Sequence, residues 1–404
     1  MTDVFDVLVV GGGPAGSATA LRLARANRRV LLLDKAVFPR EKVCSEYLSP
    51  ESVRHLDLLG VLTTLDQHHT SAPLVGTNVT AAYGAALSGR FAEAGGAPFR
   101  ATGISLPRRV LDATLLDAAG AAGVTVMERQ QVVDLVRGRD GVCGVQLRDE
   151  GGQLSTAMAR VVVGADGLGS VVARRTGLRR QGWLKRMAFV AHVTDVPGLG
   201  GAADMHVSRD GYVGLNPMGD GVTNVALVVS AKAAAGARGD ATTFFLEALE
   251  RFPGIRGRIH RERIVREVMV TGPFDAMSRR SVTDGALLVG DAADFFDPFT
   301  GEGICAALAG AELAAGVLDE VLASDTPLTA ARLAHYRTLR RQRFLGKWIV
   351  ERLIGYSMLT PALFDRAVGR LERRGMADTL IGVTGDFVSP WRVLNPGFLT
   401  RMLV

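Results

Sequence analysis

The chain has 404 residues and a formal net charge of +6. Hydrophobic residues make up 48% and charged residues 22%, which is globular usage and excludes a disordered chain. Its three cysteines, Cys44, Cys143 and Cys305, stand far apart. That excludes a disulfide framework, a Cys-paired zinc site and a dithiol centre, and a reducing, cytoplasmic setting is expected.

The first apolar run, 4–10, reads as a buried strand. Asp6 interrupts it and no basic segment precedes it, so a secretory signal is not expected. A glycine turn follows, then a helix to about 27, then a second apolar run, 29–33, ending at Asp34. This is a βαβ beginning with strands buried on both faces. Residues 70–89 carry no charge, but they are rich in Ser, Thr, Asn and Gly and include Pro73, so no spanning helix is expected there. A helix is predicted over 106–123, and Asp140-Gly141 between the runs 132–136 and 142–147 marks a hairpin. Residues 161–163 form another short buried strand.

From 186 to 270 the pattern changes to alternation. Strands are predicted near 186–194, 203–208, 222–230 and 263–270, with a helix near 241–251, giving a partly exposed antiparallel sheet. The run 286–289 returns to the buried-strand pattern, and a long helix follows from 303 to 322. The rest is mostly helical. The fold class is therefore α/β. A discontinuous Rossmann-like domain takes 1–70, 101–175 and 275–325, a substrate domain with the antiparallel sheet takes 71–100 and 176–274, and C-terminal helices take 326–404.

Basic charge is carried almost wholly by Arg, since Lys occurs only at 35, 42, 185, 232 and 347. It is densest at Arg337, Arg340, Arg341, Arg343, Lys347 and Arg352. No zinc-finger, RRM or basic-zipper pattern accompanies it, so nucleic acid is not an expected partner.

The chemistry-bearing motifs follow three strands. Gly11, Gly13 and Gly16 form G-x-G-x-x-G between a strand and a helix. Such a turn lets backbone approach a pyrophosphate at a helix N-terminus. Asp34 ends the second strand, where a carboxylate can accept hydrogen bonds from ribose hydroxyls. The motif alone does not separate FAD from NAD. Two later motifs do: Gly164-Ala165-Asp166-Gly167 with Ser170, and Gly290-Asp291-Ala292-Ala293 followed by Asp297-Pro298-Phe299-Thr300-Gly301-Glu302-Gly303.

With these motifs the sequence resembles the FAD-dependent oxidoreductases of the p-hydroxybenzoate hydroxylase fold, closest to their geranylgeranyl reductase-like branch, over about residues 1–325. The resemblance implies that Gly11, Gly13, Gly16 and Asp34 hold the ADP half of FAD. It puts Arg108 near the cofactor, Asp166 near the pyrophosphate and Asp291 on the ribitol chain, with Pro298, Gly301 and Gly303 against the flavin ring. A helix starting near Gly301 would also favour anionic charge on a flavin, by its unpaired N–H groups. No second glycine fingerprint follows a strand, so NAD(P)H would visit as a transient reductant without a domain of its own.

The substrate side is expected from four residues. Cys44 lies in a loop, 42–50, that matches the branch except for Ser45 in place of Gly, and there it would approach the flavin. Tyr212 and Pro217 match an aromatic segment of the branch, whereas Gly214 and Asn216 stand where Trp and Phe are usual. Loss of both aromatics would open space and add an amide, which argues against prenyl reduction. Tyr212, Asn216, Cys44 and His192 are the catalytic candidates, His192 as an orienting group or base. His206, on the same sheet, is a further candidate for that role, and no metal site is assigned. The leading expectation is an FAD-dependent monooxygenase, a hydroxylase or epoxidase. It would act on a hydrophobic aromatic, polyketide-like or alkene molecule with O₂ through a C4a-hydroperoxyflavin. The alternative is a geranylgeranyl reductase-like reductase of isoprenoid C=C bonds. The C-terminal aromatics, Phe344, Trp348 and Tyr356, serve core or dimer packing on one reading and peripheral membrane contact on the other. The sequence leaves substrate and oligomeric state open.

Overall fold

A computed structural model describes residues 4–237, 239–278 and 280–403. The strand Phe5–Val10 is the centre of an eight-stranded sheet and pairs in parallel with Val30–Leu33 on one side and Leu154–Gly164 on the other. Ala286–Leu288 and Thr125–Met127 extend the parallel part outward. Val7, Leu8, Val9 and Val161 to Val163 have no exposed surface, as strands covered on both faces require. The helices Pro14–Arg25, Arg108–Ala121 and Gly303–Val321 pack on one face. The hairpin Gln131–Gly138 and Gly141–Arg148 turns where Asp140-Gly141 indicated, and Gly141 has φ +117°.

The second sheet has seven strands in the order Ile264–Thr271, Arg186–Thr194, Val222–Ser230, Gly211–Pro217, Ala203–Val207, Gly76–Thr80 and Ala86–Arg90. The alternation had left out Gly211–Pro217 as a separate strand. Gly211, at φ +149°, leads in from a tight turn, and the segment carries both buried aromatic and polar residues. The sheet is partly exposed at its edges, as expected: Val265, Glu267 and Val270 on one edge strand and Ala86 and Ser88 on the other face solvent, while Ala203–Val207 and Gly76–Thr80 form a parallel pair. One face packs Phe189, Val213, Val225 and Leu227 on the helix Ala241–Leu249. The other face looks toward the first sheet across a cavity. His206 stands opposite Val213, on the helix-covered side, so it cannot serve the cavity.

The C-terminal helices Ala334–Ser357, Pro361–Arg373 and Ala377–Thr384 close the remaining edge. Asp365, Glu372 and Asp378 accept hydrogen bonds from main-chain N–H groups of Tyr83, Ala85, Ser88 and Arg90. These bonds satisfy a sheet edge that would otherwise be free to pair. Among the described residues no helix is long and apolar enough to cross a membrane.

Candidate active site

A cavity of about 760 Å³ runs from the glycine turn to the inner face of the second sheet. Its first half is backbone and charge. Gly11 has φ +103°, and a Cβ there would lie 2.5 Å from the Ala165 carbonyl oxygen. Gly16 does not line the cavity. A Cβ at Gly16 would lie 1.8 Å from the Gly11 oxygen, so this glycine lets helix and turn touch. The helix Pro14–Arg25 opens on the cavity with no acidic residue in its first turn. Asp34 accepts from Gly12 N and Ala36 N, each at 2.8 Å, and is held at the cavity wall by both.

Arg108 makes a two-point contact to Asp112, with both distances 2.8 Å, and its guanidinium also reaches the Cys44 thiol. Asp291 lines the cavity, and burial pushes its carboxyl up to about 6 against the pull of Arg108 and Lys42. Asp166 lines it too, but its carboxylate is taken. It accepts from Ser170 Oγ at 2.5 Å and Val171 N at 2.6 Å, closing the start of the short helix Val171–Arg175. Pro298, Gly301 and Gly303 form the opposite wall. Gly301 is left-handed, φ +72°, and a Cβ there would strike the Tyr47 ring at 2.9 Å.

The second half of the cavity is built by successive rungs of the sheet. Side chains two residues apart share a face, so each rung is one row of paired residues across the strands. The row Met269, Val190, Ala226, Gly214 and Met205 is in direct register across five strands, and all five line the cavity. A neighbouring row of Thr271, Ala188, Val228 and Tyr212 also lines it. The row on the other side is polar: Arg266, His192, Asn224 and Asn216.

That polar row grips one loop. Asn224 Nδ2 donates to the Cys44 oxygen at 2.7 Å. Asn216 Nδ2 donates to the oxygens of Ser45 and Glu46 and to Ser105 Oγ, at 3.1, 3.0 and 2.7 Å. His192 Nε2 lies 2.6 Å from Glu46 Oε2, and Arg266 lies 3.5 Å from Glu46 Oε1. Glu46 is fully buried with φ +57°, and its Oε1 also accepts from Arg108 N at 2.9 Å. Cys44, at the head of this loop, lines the cavity.

This placement changes the expected roles. Asn216 does not offer its amide N–H to a substrate; the loop uses it. His192 does not line the cavity, and its Nε2 is engaged with Glu46, so it is placed against the loop and not against the cavity. Tyr212 lines the cavity, but its hydroxyl donates to Asp297 Oδ1 at 2.7 Å. Burial and Asp297 push the phenol well above its ordinary range. Asp297 also accepts from Arg186 at 2.7 Å and Phe299 N at 3.1 Å, so Tyr212 braces the Pro298–Gly303 turn. Gly214 does not simply open space: a Cβ there would meet Met205 Sδ at 3.1 Å. Glu46, Asn224 and Arg266 were missed. The available signal was Asn224 itself, an amide beside the apolar run 225–229 of its strand.

The residues fit FAD. Three loops from parallel strands converge with glycine cradles that a Cβ would fill, and one helix start lies at each end. Among the described residues no group of three His, Cys, Asp or Glu side chains is placed to hold a metal. Fold and site together define an FAD-dependent oxidoreductase. The sequence profile of the FAD binding domain family matches residues 4–346, and the chain belongs to that family.

The geranylgeranyl reductase-like resemblance also holds. The chain is 30% identical over 334 residues to digeranylgeranylglycerophospholipid reductase 1 of Methanococcoides burtonii, covering 80% of this chain and 77% of the relative. It is 29% identical over 414 residues to the menaquinone reductase of Mycolicibacterium smegmatis, covering 95% and 92%. The solved structure of a flavoprotein/dehydrogenase from Cytophaga hutchinsonii has the same fold, with a TM-score of 0.82 at 21% identity, covering 99% of this chain and 96% of that one.

Proposed function

We propose that the protein is a flavin-dependent reductase of an isoprenoid C=C bond, the second of the two readings weighed on the sequence. The observation that carries it is the apolar rung Met269–Val190–Ala226–Gly214–Met205 facing the flavin half of the cavity. Such a wall suits a chain without hydrogen-bonding groups. The names of the two relatives weigh the same way. The absence of the usual Trp and Phe, which had argued against prenyl substrates, loses force because Met205 takes up the Gly214 space and Asn216 serves the loop.

FAD when bound accepts a hydride from a donor, here proposed as NAD(P)H, and passes it to an acceptor carbon. The chain supplies the rest. Gly11 and Gly13 with the first helix start hold the diphosphate, and Asp34 holds a ribose. Asp291 is placed for the ribitol chain. The start of Gly303–Val321 favours negative charge on the ring. Arg266, His192, Asn224 and Asn216 hold Cys44 at the wall where the alkene would lie, and the apolar rung excludes water.

The test is anaerobic. Photoreduced protein is mixed with a geranylgeranyl-chain lipid or a polyprenyl quinone, and flavin absorbance and product mass are followed. Return of the oxidised band with product gaining hydrogen alone is expected. Reoxidation only with O₂, with oxygen in the product, would overturn the proposal in favour of oxygenation.

A further inference from the structure

Behind the Pro298–Gly303 turn lies a second, small cavity of about 40 Å³. Asp291, Phe295, Thr300 and Gly303 line both cavities, so this one adjoins the flavin half of the site directly. Its wall carries the carboxylates Asp291, Asp294, Asp297, Glu302 and Glu351 and the cations Arg340 and Lys347. Two of these carboxylates are already paired. Asp294 accepts from Arg340 at 2.6 Å and from Trp348 Nε1 at 3.1 Å, and Asp297 is held by Arg186 and Tyr212.

The others are not neutralised in this way. Lys347 Nζ, on a side chain 7% exposed, finds no hydrogen-bond acceptor among the described residues. It lies 3.8 Å from Glu302 Oε2 and 3.7 Å from Asp386 Oδ2. Glu302, 1% exposed at its side chain, has Oε1 without a donor among the described residues, while Oε2 accepts from Ser49 Oγ at 3.1 Å. A buried ammonium and a buried carboxylate oxygen, both lacking a direct partner, call for bridging water. The volume is room for about two or three molecules, with enough polar partners to hold them.

We propose that this cavity is a proton store for the flavin site, with Glu302, Glu351 and Asp291 as its exchanging groups and Lys347 as its fixed charge. The inference rests on the FAD reading but not on the alkene. Burial raises all three carboxyls: Asp291 to about 6, Glu351 to about 7 and Glu302 to about 8. Groups titrating near neutrality exchange protons at least cost there. Glu302 faces Lys347, Asp386, Ser49 and Cys305. Glu351 faces Lys347, Asp294, Arg352 and Asp386, and Asp291 faces Arg108, Lys42 and Asp294. Arg343 also pairs with Asp386, at 2.7 Å, so Lys347 shares that carboxylate instead of holding it alone.

The balance is simple. A hydride arriving at the flavin brings one negative charge, and a carboxylate of the store takes one proton from solvent. When the hydride leaves for a substrate carbon, the neighbouring carbon gains a proton and the store is reset. The sum is one hydride and one proton added across the double bond, with the donor oxidised.

The test counts protons without any alkene present. FAD-loaded protein is photoreduced anaerobically in weak buffer with an indicator dye, from pH 5.5 to 9. Flavin absorbance before reduction reports FAD binding, so its failure is seen separately from failure of the store. Wild type is expected to take up extra protons across pH 6–8. Glu302→Gln with Glu351→Gln should lose about half a proton per flavin in mid-window, the yield of a group near pH 7 that a nearby negative charge makes about tenfold more basic. Superimposed curves for loaded wild type and double variant would overturn the proposal. Should the double variant not hold FAD, Glu351→Gln alone decides, since Glu351 does not line the larger cavity: partial loss supports the store and no loss overturns it.

Discussion

Asn224 donates its side-chain N–H to the Cys44 main-chain oxygen at 2.7 Å, across 180 positions of sequence. This bond ties the second sheet to a loop of the first unit, at a residue that lines the cavity. It is one of several bonds from a single row, and each strand of that row contributes one side chain.

Asn224→Leu keeps the volume and removes the donor. The Cys44 carbonyl then loses its partner in a half-buried setting, at a cost of about 1–3 kcal/mol. Because Asn216 and His192 still hold Ser45 and Glu46, the protein should fold and bind FAD. Turnover of a reducible substrate should fall at least tenfold, chiefly in kcat. Equal losses in thermal stability and no change in kcat would show that the row only supports the fold.

The parallel core strands, four strands of the second sheet and the glycine cradles could be read from sequence because they follow from local pattern: period-two alternation, buried apolar runs, and turns that only glycine permits. Gly211–Pro217, Gly76–Thr80 and Ala86–Arg90 complete the second sheet without such a pattern. The polar row could not. Arg266, His192, Asn224 and Asn216 are spread over four strands, and only register brings them into line. A one-residue slip would turn each of them to the helix-covered face. Asp166 shows the converse. Its motif was read correctly as a strand end, yet whether its carboxylate faces a cofactor or its own helix is decided by the Ser170 and Val171 contacts.

Gly214 and Met205 stand opposite each other in the apolar rung. Gly214→Trp must displace the Met205 side chain, since even a Cβ comes within 3.1 Å of its sulfur. Overpacking of this kind costs about 1–3 kcal/mol. FAD content should be unchanged, and long or branched prenyl chains should lose reactivity more than short ones. Adding Met205→Ala should restore stability. An identical chain-length profile in wild type and variant would contradict the channel.

Asp291 gives a pH prediction for the FAD-free protein. Its carboxyl is raised to about 6 by burial, so the folded state holds this proton more tightly than the unfolded chain. Stability from this group is therefore fully present below the ordinary carboxylate range, declines as pH rises through about 6, and is flat above. Asp291→Asn removes that decline. Thermal unfolding should show the variant gaining on wild type between pH 4 and 6 and holding a constant lead above. A gap that does not vary with pH would mean that Asp291 is not held in a raised state.

The cysteines separate by environment. Cys305 is fully buried and its Sγ donates to Asp386 Oδ2 at 3.5 Å. Burial, with Asp386 and Glu302 beside it, pushes the thiol well above its ordinary range, so the reactive thiolate is scarce. Cys44 is half-buried, lines the cavity and has the Arg108 guanidinium at its sulfur. Cys143 is also half-buried, on the hairpin away from the site, and its Sγ donates to the Val136 oxygen. Iodoacetamide on native FAD-free protein, read peptide by peptide by mass spectrometry, should label Cys44 and Cys143 and spare Cys305. FAD should then protect Cys44 and leave Cys143 unchanged, because only the former shares a wall with the cofactor. Labelling of Cys44 that FAD does not slow would place the thiol outside the flavin site, and the role given to its loop would fall with it.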